Sequence, residues 1–186
     1  MIQLDTSWLQ HVQKPARYTG GEYNSIVKDH STVDVTMALA FPDVYEVAMS
    51  HLGIKILYGL VNRREDAAAE RVFAPWHDME EEMRKRNIPL FSLETRTPIK
   101  DFDVLAFTLQ YEMSFTNILN MLDLAGIPMY AKDRDMDSPL LVCGGPCAFN
   151  VEPIADFFDI VSLGESEEWG DEFIDLYKAE KAKGFP

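Results

Sequence analysis

Hydrophobic and polar positions along this chain switch between a period of two and a period near 3.6, and each switch predicts the end of one element and the start of another. Residues 33–41 form a β-branched and apolar run that halts at Pro42 and Asp43. After a polar turn, Leu52, Ile56, Leu57, Leu60 and Val61 recur at helical spacing, a face expected to lie on a sheet. Asp43 with Glu46 three residues on reads as a variant capping box for the helix start, and Asn62, Arg63 and Arg64 close the helix with positive charge where the macrodipole favours it. A strand thus feeds a helix through a loop.

The unit repeats. Residues 102–109 are apolar almost throughout, as in a strand covered on both faces. The loop of Gln110, Tyr111 and Glu112 leads to a helix with Ser114 as its cap, Ile118, Leu119, Leu122 and Ala125 on its buried side, and Gly126 and Pro128 as its end. Residues 140–143 are the next central strand and run into Gly144, Gly145 and Pro146. Glycines there let a ligand approach the backbone and leave amides free for anionic groups. Residues 154–158 read as a short helix and 160–163 as a last strand. Gly164, Glu165 and Ser166 open a final helix with acids in its first turn and Lys178, Lys181 and Lys183 in its last.

Between these units lie a strand within residues 67–73, an amphipathic helix through Met79, Met83 and Arg86, and an extended piece at 89–93. Periodicity does not decide which of the two extended pieces is the outer strand. Residues 128–130 add a short extended stretch. At the start, Trp8, Leu9 and Val12 share a helical face that Thr6 or Ser7 caps and Pro15 stops. Residues 1–31 are read as an arm packed on the domain, or docked on a neighbouring one, and 32–186 as the domain itself. The alternation predicts an α/β fold: a three-layer, doubly wound, Rossmann or flavodoxin-like sheet of about five parallel strands. Its loops at Pro42, Thr108, Gly144 and Gly164 are expected to converge on one rim, where open parallel sheets bind ligands.

Composition narrows the function. With 186 residues and 47% hydrophobic content the chain buries a full core, and a net charge of −14 disfavours direct nucleic-acid binding. No apolar run approaches the ~18 to 20 residues of a membrane helix, no signal-peptide build follows Met1, and two cysteines are too few for a disulfide framework. The expected address is the reducing cytoplasm. Cys143 and Cys147 lack a third cysteine two residues on, so a buried small hydrophobe is favoured over a metal or redox pair, and no metal ligand is assigned. His51 reads first as a hydrogen-bonded structural residue. Tyr45 and Tyr111 either flank a flat ligand or close the rim.

Seven stretches, PARYTGGE (15–22), FPDVYEVAMSHLG (41–53), RVFAPW (71–76), LFSLET (90–95), LNMLDLAGIP (119–128), GGPCAFN (144–150) and GESE (164–167), together resemble the N-terminal part of cobalamin-binding-domain-containing radical SAM proteins. The resemblance implies a cobalamin-type Rossmann domain preceding a barrel whose Cys-x3-Cys-x2-Cys motif holds a [4Fe-4S] cluster and S-adenosylmethionine. That motif is absent, and the chain is expected to be a catalytically inert domain or fragment whose barrel lies C-terminal to it. The barrel would be its partner and a corrinoid its ligand. Cofactor-binding positions implied are Pro42, Asp43, Tyr45, Ser50, His51, Gly53, Thr108, Leu109, Gln110, Tyr111, Gly144, Gly145, Pro146, Gly164 and Glu165. The Asp-x-His-x-x-Gly of His-ligated cobalamin domains is missing, since His51 stands two residues before Gly53. Thr108, Leu109 and Gln110 replace the Ser-x-Leu of the nucleotide tail, whereas Gly144 and Gly145 match its diglycine. Two alternatives stay open: a degenerate domain that only buttresses the barrel, and a flavodoxin-like domain for a nucleotide or flavin, which no Gly-x-Gly-x-x-Gly supports.

Overall fold

The structure, a computed structural model, describes Ile2 and residues 6–184. Its centre is a five-stranded parallel sheet in the order β2-β1-β3-β4-β5, made of β1 (Val35–Phe41), β2 (Ala67–Phe73), β3 (Val104–Thr108), β4 (Leu140–Gly144) and β5 (Ile160–Val161). All the strands run the same way, so every loop after a strand lies on one edge, and strand order reverses between β1 and β3. β1 is buried at all seven positions because helices cover both faces.

On one face pack α1 (Thr6–Leu9), α4 (His77–Arg86) and α5 (Phe115–Ala125), whose Met79, Met83, Ile118, Met121 and Leu122 join Leu105 and Phe107 in one core. Each fully buried aliphatic there contributes about 1.5–3 kcal/mol. On the other face pack α2 (Tyr45–Ser50), α3 (Leu52–Arg63) and α6 (Ser166–Lys183), with Ile54, Tyr58, Val61, Phe173 and Ile174 in a second core against Met37, Leu39, Val104 and Val142. The doubly wound α/β fold read from the pattern is the fold observed.

Several local expectations differ. The polar turn after β1 holds the extra helix α2, and Val44 rather than Asp43 occupies its N-cap; Asp43 instead accepts from the Val44 amide (2.7 Å) and the Tyr111 hydroxyl (2.6 Å). The buried stripe of α3 is Ile54, Tyr58 and Val61, leaving Leu52 68% and Ile56 38% exposed. A turn of 3-10 helix, Glu112–Ser114, precedes α5, and Ser114 donates back to the Tyr111 carbonyl instead of capping the helix. Residues 89–93 form no strand beyond one bridge from Phe91 to Pro98, so β2 is the outer strand. Residues 128–130 also stay outside the sheet. The side chain of Thr6, one of the two expected caps of α1, lies outside the described residues, and Glu165 holds the N-cap of α6 without a side-chain bond.

The free edge of β2 is blocked by a loop. Leu93 donates its amide to the Arg71 carbonyl (2.7 Å) and the Glu94 carboxylate accepts from the Arg71 amide (2.7 Å), removing the open hydrogen-bonding edge that invites aggregation.

Candidate functional site

A cavity of about 490 Å³ opens on the carboxyl edge of the sheet, between its second face and helices α3 and α6. The strand register gives its depth. Thr108 and Gly144 form the row at the strand ends; Leu39, Ala106 and Val142 form the next row inward; Met37 and Val104 the third. The space closes inward, since Met37 is buried and Val104 has no exposed surface. Its outer wall is the α3 stripe of Gly53, Ile54, Leu57 and Val61, and its side wall is Trp169, Gly170 and Phe173 of α6, with Trp169 stacked on Phe173 at 4.8 Å.

Ala106 makes the floor. It pairs with Leu39 and Val142 in the middle strand of the sheet, yet it is only partly buried, because the small side chain leaves the space above it open. Polar groups gather at the mouth: His51, Thr108, Gln110, Ser162, Ser166, Glu165 and Glu167. Among the described residues, neither lysine nor arginine lines the cavity.

The positions read from the sequence divide between the cavity and its surroundings. His51, Gly53, Thr108, Gln110, Gly144, Gly145, Pro146, Gly164 and Glu165 all line it, drawn from four separate loops. Pro42, Asp43, Tyr45, Ser50, Leu109 and Tyr111 do not. The Pro42 carbonyl accepts from Asn117 Nδ2, Ser50 Oγ donates to the Val47 carbonyl, and Leu109 is wholly buried in the first core. Tyr45 turns away toward Phe73 and Glu22, so it and Tyr111 do not face each other across a ligand.

A hydrogen-bonded chain crosses the mouth. His51 Nε2 lies 3.1 Å from Gln110 Oε1, and Gln110 Nε2 donates to Thr108 Oγ1. His51 Nδ1 is buried without a partner beside Gly53, where a Cβ would lie 2.9 Å from the imidazole Cε1. Both imidazole nitrogens are therefore occupied or shielded. Gly145 has φ +109°, and a Cβ there would sit 3.0 Å from the Leu109 carbonyl oxygen, so glycine lets the β3 and β4 loops close together at the mouth.

Burial pushes the Cys143 thiol up to about 12, and burial together with Glu112 raises Cys147, so neither is a thiolate near neutral pH. Among the described residues no three His, Cys, Asp or Glu side chains gather to hold a metal, and no helix is long and apolar enough to cross a membrane.

The deep walls escaped sequence reasoning. Met37, Val61, Val104, Ala106, Val142 and Phe173 look like ordinary core residues in a linear pattern, and only packing reveals the space between them. Also unforeseen is a buried ionic cluster on the far side of β1. Arg71 pairs with Glu94 at 2.6 Å, stacks over Tyr58 at 4.5 Å and donates to Ser25 Oγ, while Glu70 accepts from His30, Ser92 and Thr95. Burial alone would raise the Glu70 carboxyl, but the His30, Ser92 and Thr95 bonds outweigh it and hold Glu70 below its ordinary value; burial raises Glu94 against the pull of Arg71. The same arm sends Lys14 and Arg17 to Glu46, whose carboxyl they hold down at about 2.

Fold and site together define a doubly wound α/β domain with an apolar shaft beside its topological switch point. Residues 53–186 match the family described as the N-terminal part of radical SAM proteins, and the chain belongs to that family. An uncharacterized protein of Methanocaldococcus jannaschii is 28% identical over 134 residues, which are 70% of this chain and 24% of the relative; the chain thus spans about a quarter of that relative's length. Among solved structures, a putative pilus assembly-related protein from Burkholderia pseudomallei aligns with a TM-score of 0.42 at 9% identity, covering 84% of this chain and 96% of that one.

Proposed function

We propose that the chain is the corrinoid-binding and docking module of a radical SAM enzyme, whose [4Fe-4S] cluster and S-adenosylmethionine are held by a barrel domain outside this chain. The observation that carries the reading is the shaft: a cavity of about 490 Å³ at the switch point, apolar in depth and polar at its mouth. Corrinoids have a flat macrocycle fringed with amides and one arm ending in an aromatic base. The arm suits a narrow apolar shaft and the amide fringe suits the polar mouth.

The residues present fit that group. Gly144 and Gly145 lie in the cavity's lining, and Thr108, Ser162 and Ser166 offer hydroxyls around the entrance. His51 is engaged by Gln110, which supports binding without a protein ligand to cobalt. When bound, a corrinoid supplies methyl-transfer or electron-transfer chemistry at its cobalt. The chain's own residues hold its arm and exclude water from it.

Docking is supported by the rim itself. Leu52, Met113, Phe149 and Leu163 follow the ends of four different strands and are 68%, 84%, 77% and 63% exposed. Large apolar side chains clustered around a mouth mark a surface that another domain covers. In this reading the enzyme's own barrel rests there and closes the site.

The test is to mix the protein with hydroxocobalamin and pass it over a desalting column. Retained colour with a shifted visible spectrum, lost in Ala106→Leu, is the expected result. Complete loss of colour from the unmodified protein refutes the reading and favours a structural buttress.

A further inference from the structure

We propose that the outer face of α3 and α6 is the interface of a two-fold dimer, in which α3 of each copy lies along α6 of the other. The contact uses the solvent side of the helix layer over the second core. It is independent of what enters the cavity, whose mouth on the carboxyl edge stays open.

This face carries its own complement. α3 exposes Lys55 and Arg63, which have no hydrogen-bond or ion-pair partner among the described residues. α6 runs beside it in the same direction, from the carboxyl to the amino edge, and exposes Glu168 and Glu172, which are equally without partners there. A basic stripe therefore stands next to an acidic one, in a chain whose net charge of −14 makes two copies repel unless each offers cations at the contact. An isologous interface needs that pattern, because each stripe meets the other stripe of its twin.

Charge also selects the symmetry axis. A two-fold across the helices lays α6 on α6 and opposes acid to acid, which is costly. A two-fold along the helices lays α3 on α6 twice over. It also preserves height, so the register can be read from the single chain. Arg64 reaches Asp171 at 3.2 Å and also Asp175, which sets the end of α3 level with the middle of α6. Arg63 of one copy is thus level with Glu172 of the other. Lys55 stands about 12 Å nearer the carboxyl edge, and Glu168 of the other copy lies between the two cations.

The arm extends the match. Ser25 on Arg71 of the edge strand, and Lys28 on the last carbonyls of α3, place it on the side of α3 away from α6. Its Val27 is 64% exposed near the height of the α3 terminus. Leu176, 61% exposed, lies one turn past Glu172 on the flank of α6 turned from Asp171 and Asp175, so these two apolar side chains meet across the contact. Arm, α3 and α6 side by side, about 10 Å apart and about 18 Å long, present roughly 500 Å² per copy. That is the low end of specific interfaces and corresponds to a Kd on the order of 10–100 µM.

Sedimentation velocity from about 5 to 500 µM, a range set by that Kd, tests the proposal with two charge-reversed proteins. One carries Lys55→Glu and Arg63→Glu, the other Glu168→Lys and Glu172→Lys; all four positions are exposed and none lines the cavity, and circular dichroism checks that both proteins fold. The unmodified protein is expected to dimerise, and each variant alone to do so at least about tenfold more weakly. An equimolar mixture of the two is expected to recover the dimer, because reversed α3 then meets reversed α6 and native α3 meets native α6. A monomer throughout the range, a dimer that neither reversal weakens, or folded variants that stay apart when mixed would each overturn the proposal.

Discussion

Filling the shaft from its floor separates an open cavity from a packed core. Ala106→Leu adds three carbons above the middle strand, in space bounded by Leu39, Val142, Leu57 and Phe173. At ~0.8 kcal/mol per buried CH2, the gain is about 2 kcal/mol before side-chain ordering. For a chain of this size that corresponds to a rise in Tm of roughly 2–4 °C per kcal/mol. Ala38, wholly buried in β1 against the opposite core, is the matched control: with no space above it, Ala38→Leu should overpack and cost about 1–3 kcal/mol. Thermal unfolding followed by circular dichroism reads both. The expected result is opposite signs, Ala106→Leu higher and Ala38→Leu lower. If the two variants fall together, the space above Ala106 is filled in solution, and the case for a ligand shaft fails with it.

Arg71→Met should cost about 3–5 kcal/mol, because it strands the fully buried Glu94 carboxylate, and urea denaturation checks it. Near-wild-type stability would mean that Glu94 is protonated and needs no partner. Glu70 is held below its ordinary value of 4.5, so it contributes stability above that pH which is lost as pH falls through its lowered folded value; Glu70→Gln should flatten the acid limb of a stability–pH curve below about pH 4.5, and an acid limb of unchanged slope would refute it. Lys28 donates to the carbonyls of Asn62, Arg64 and Ala67 at the end of α3, and Lys28→Met should cost about 1–3 kcal/mol in urea denaturation and raise amide exchange in the last turn of α3. Unchanged exchange there would show that the helix end is held without it.

Strand and helix order was legible because it is written in residue types along the line. The runs at 33–41, 102–109 and 140–143 are apolar on both faces, and only a sheet covered on two sides uses such runs. The loop glycines were legible too, since Gly145 answers to a positive φ and a close approach. The α3 face was misread because Leu52 and Ile56 fit helical spacing as well as Ile54 and Tyr58 do; which stripe is buried depends on the angle at which α2 delivers the chain. Tyr45 was placed at the site by its position after β1, but Glu22 of the arm, 23 residues earlier, draws its hydroxyl away. The shaft was invisible for a deeper reason. Empty volume is a property of several elements at once, and Ala106 differs from Ala38 only in what stands above it.

A cavity of this size beside a β-sheet tends to collapse, since its lining forfeits contacts that a small shift of α3 would restore. The two ends of the chain supply the opposing constraint. The arm ties α3 from outside: the Tyr58 hydroxyl donates to the Ile26 carbonyl and accepts from its amide, and Lys28 holds the helix's C-terminal carbonyls. Asn62 fixes the same helix to β2 by a reciprocal pair of bonds with Ala69. On the other side α6 is fastened by Arg64 to Asp171 and Asp175, by Lys178 to Asp34 and Asp66, and by Lys181 to Asp103. All these ties lie at the far end of the shaft or outside its walls, and none crosses its interior. The charged residues at the amino edge and the arm therefore bear on the site without touching it: Arg64 joins α3 to α6 at the amino end, the arm and Lys178 anchor each helix separately, and the carboxyl edge is left free for a ligand.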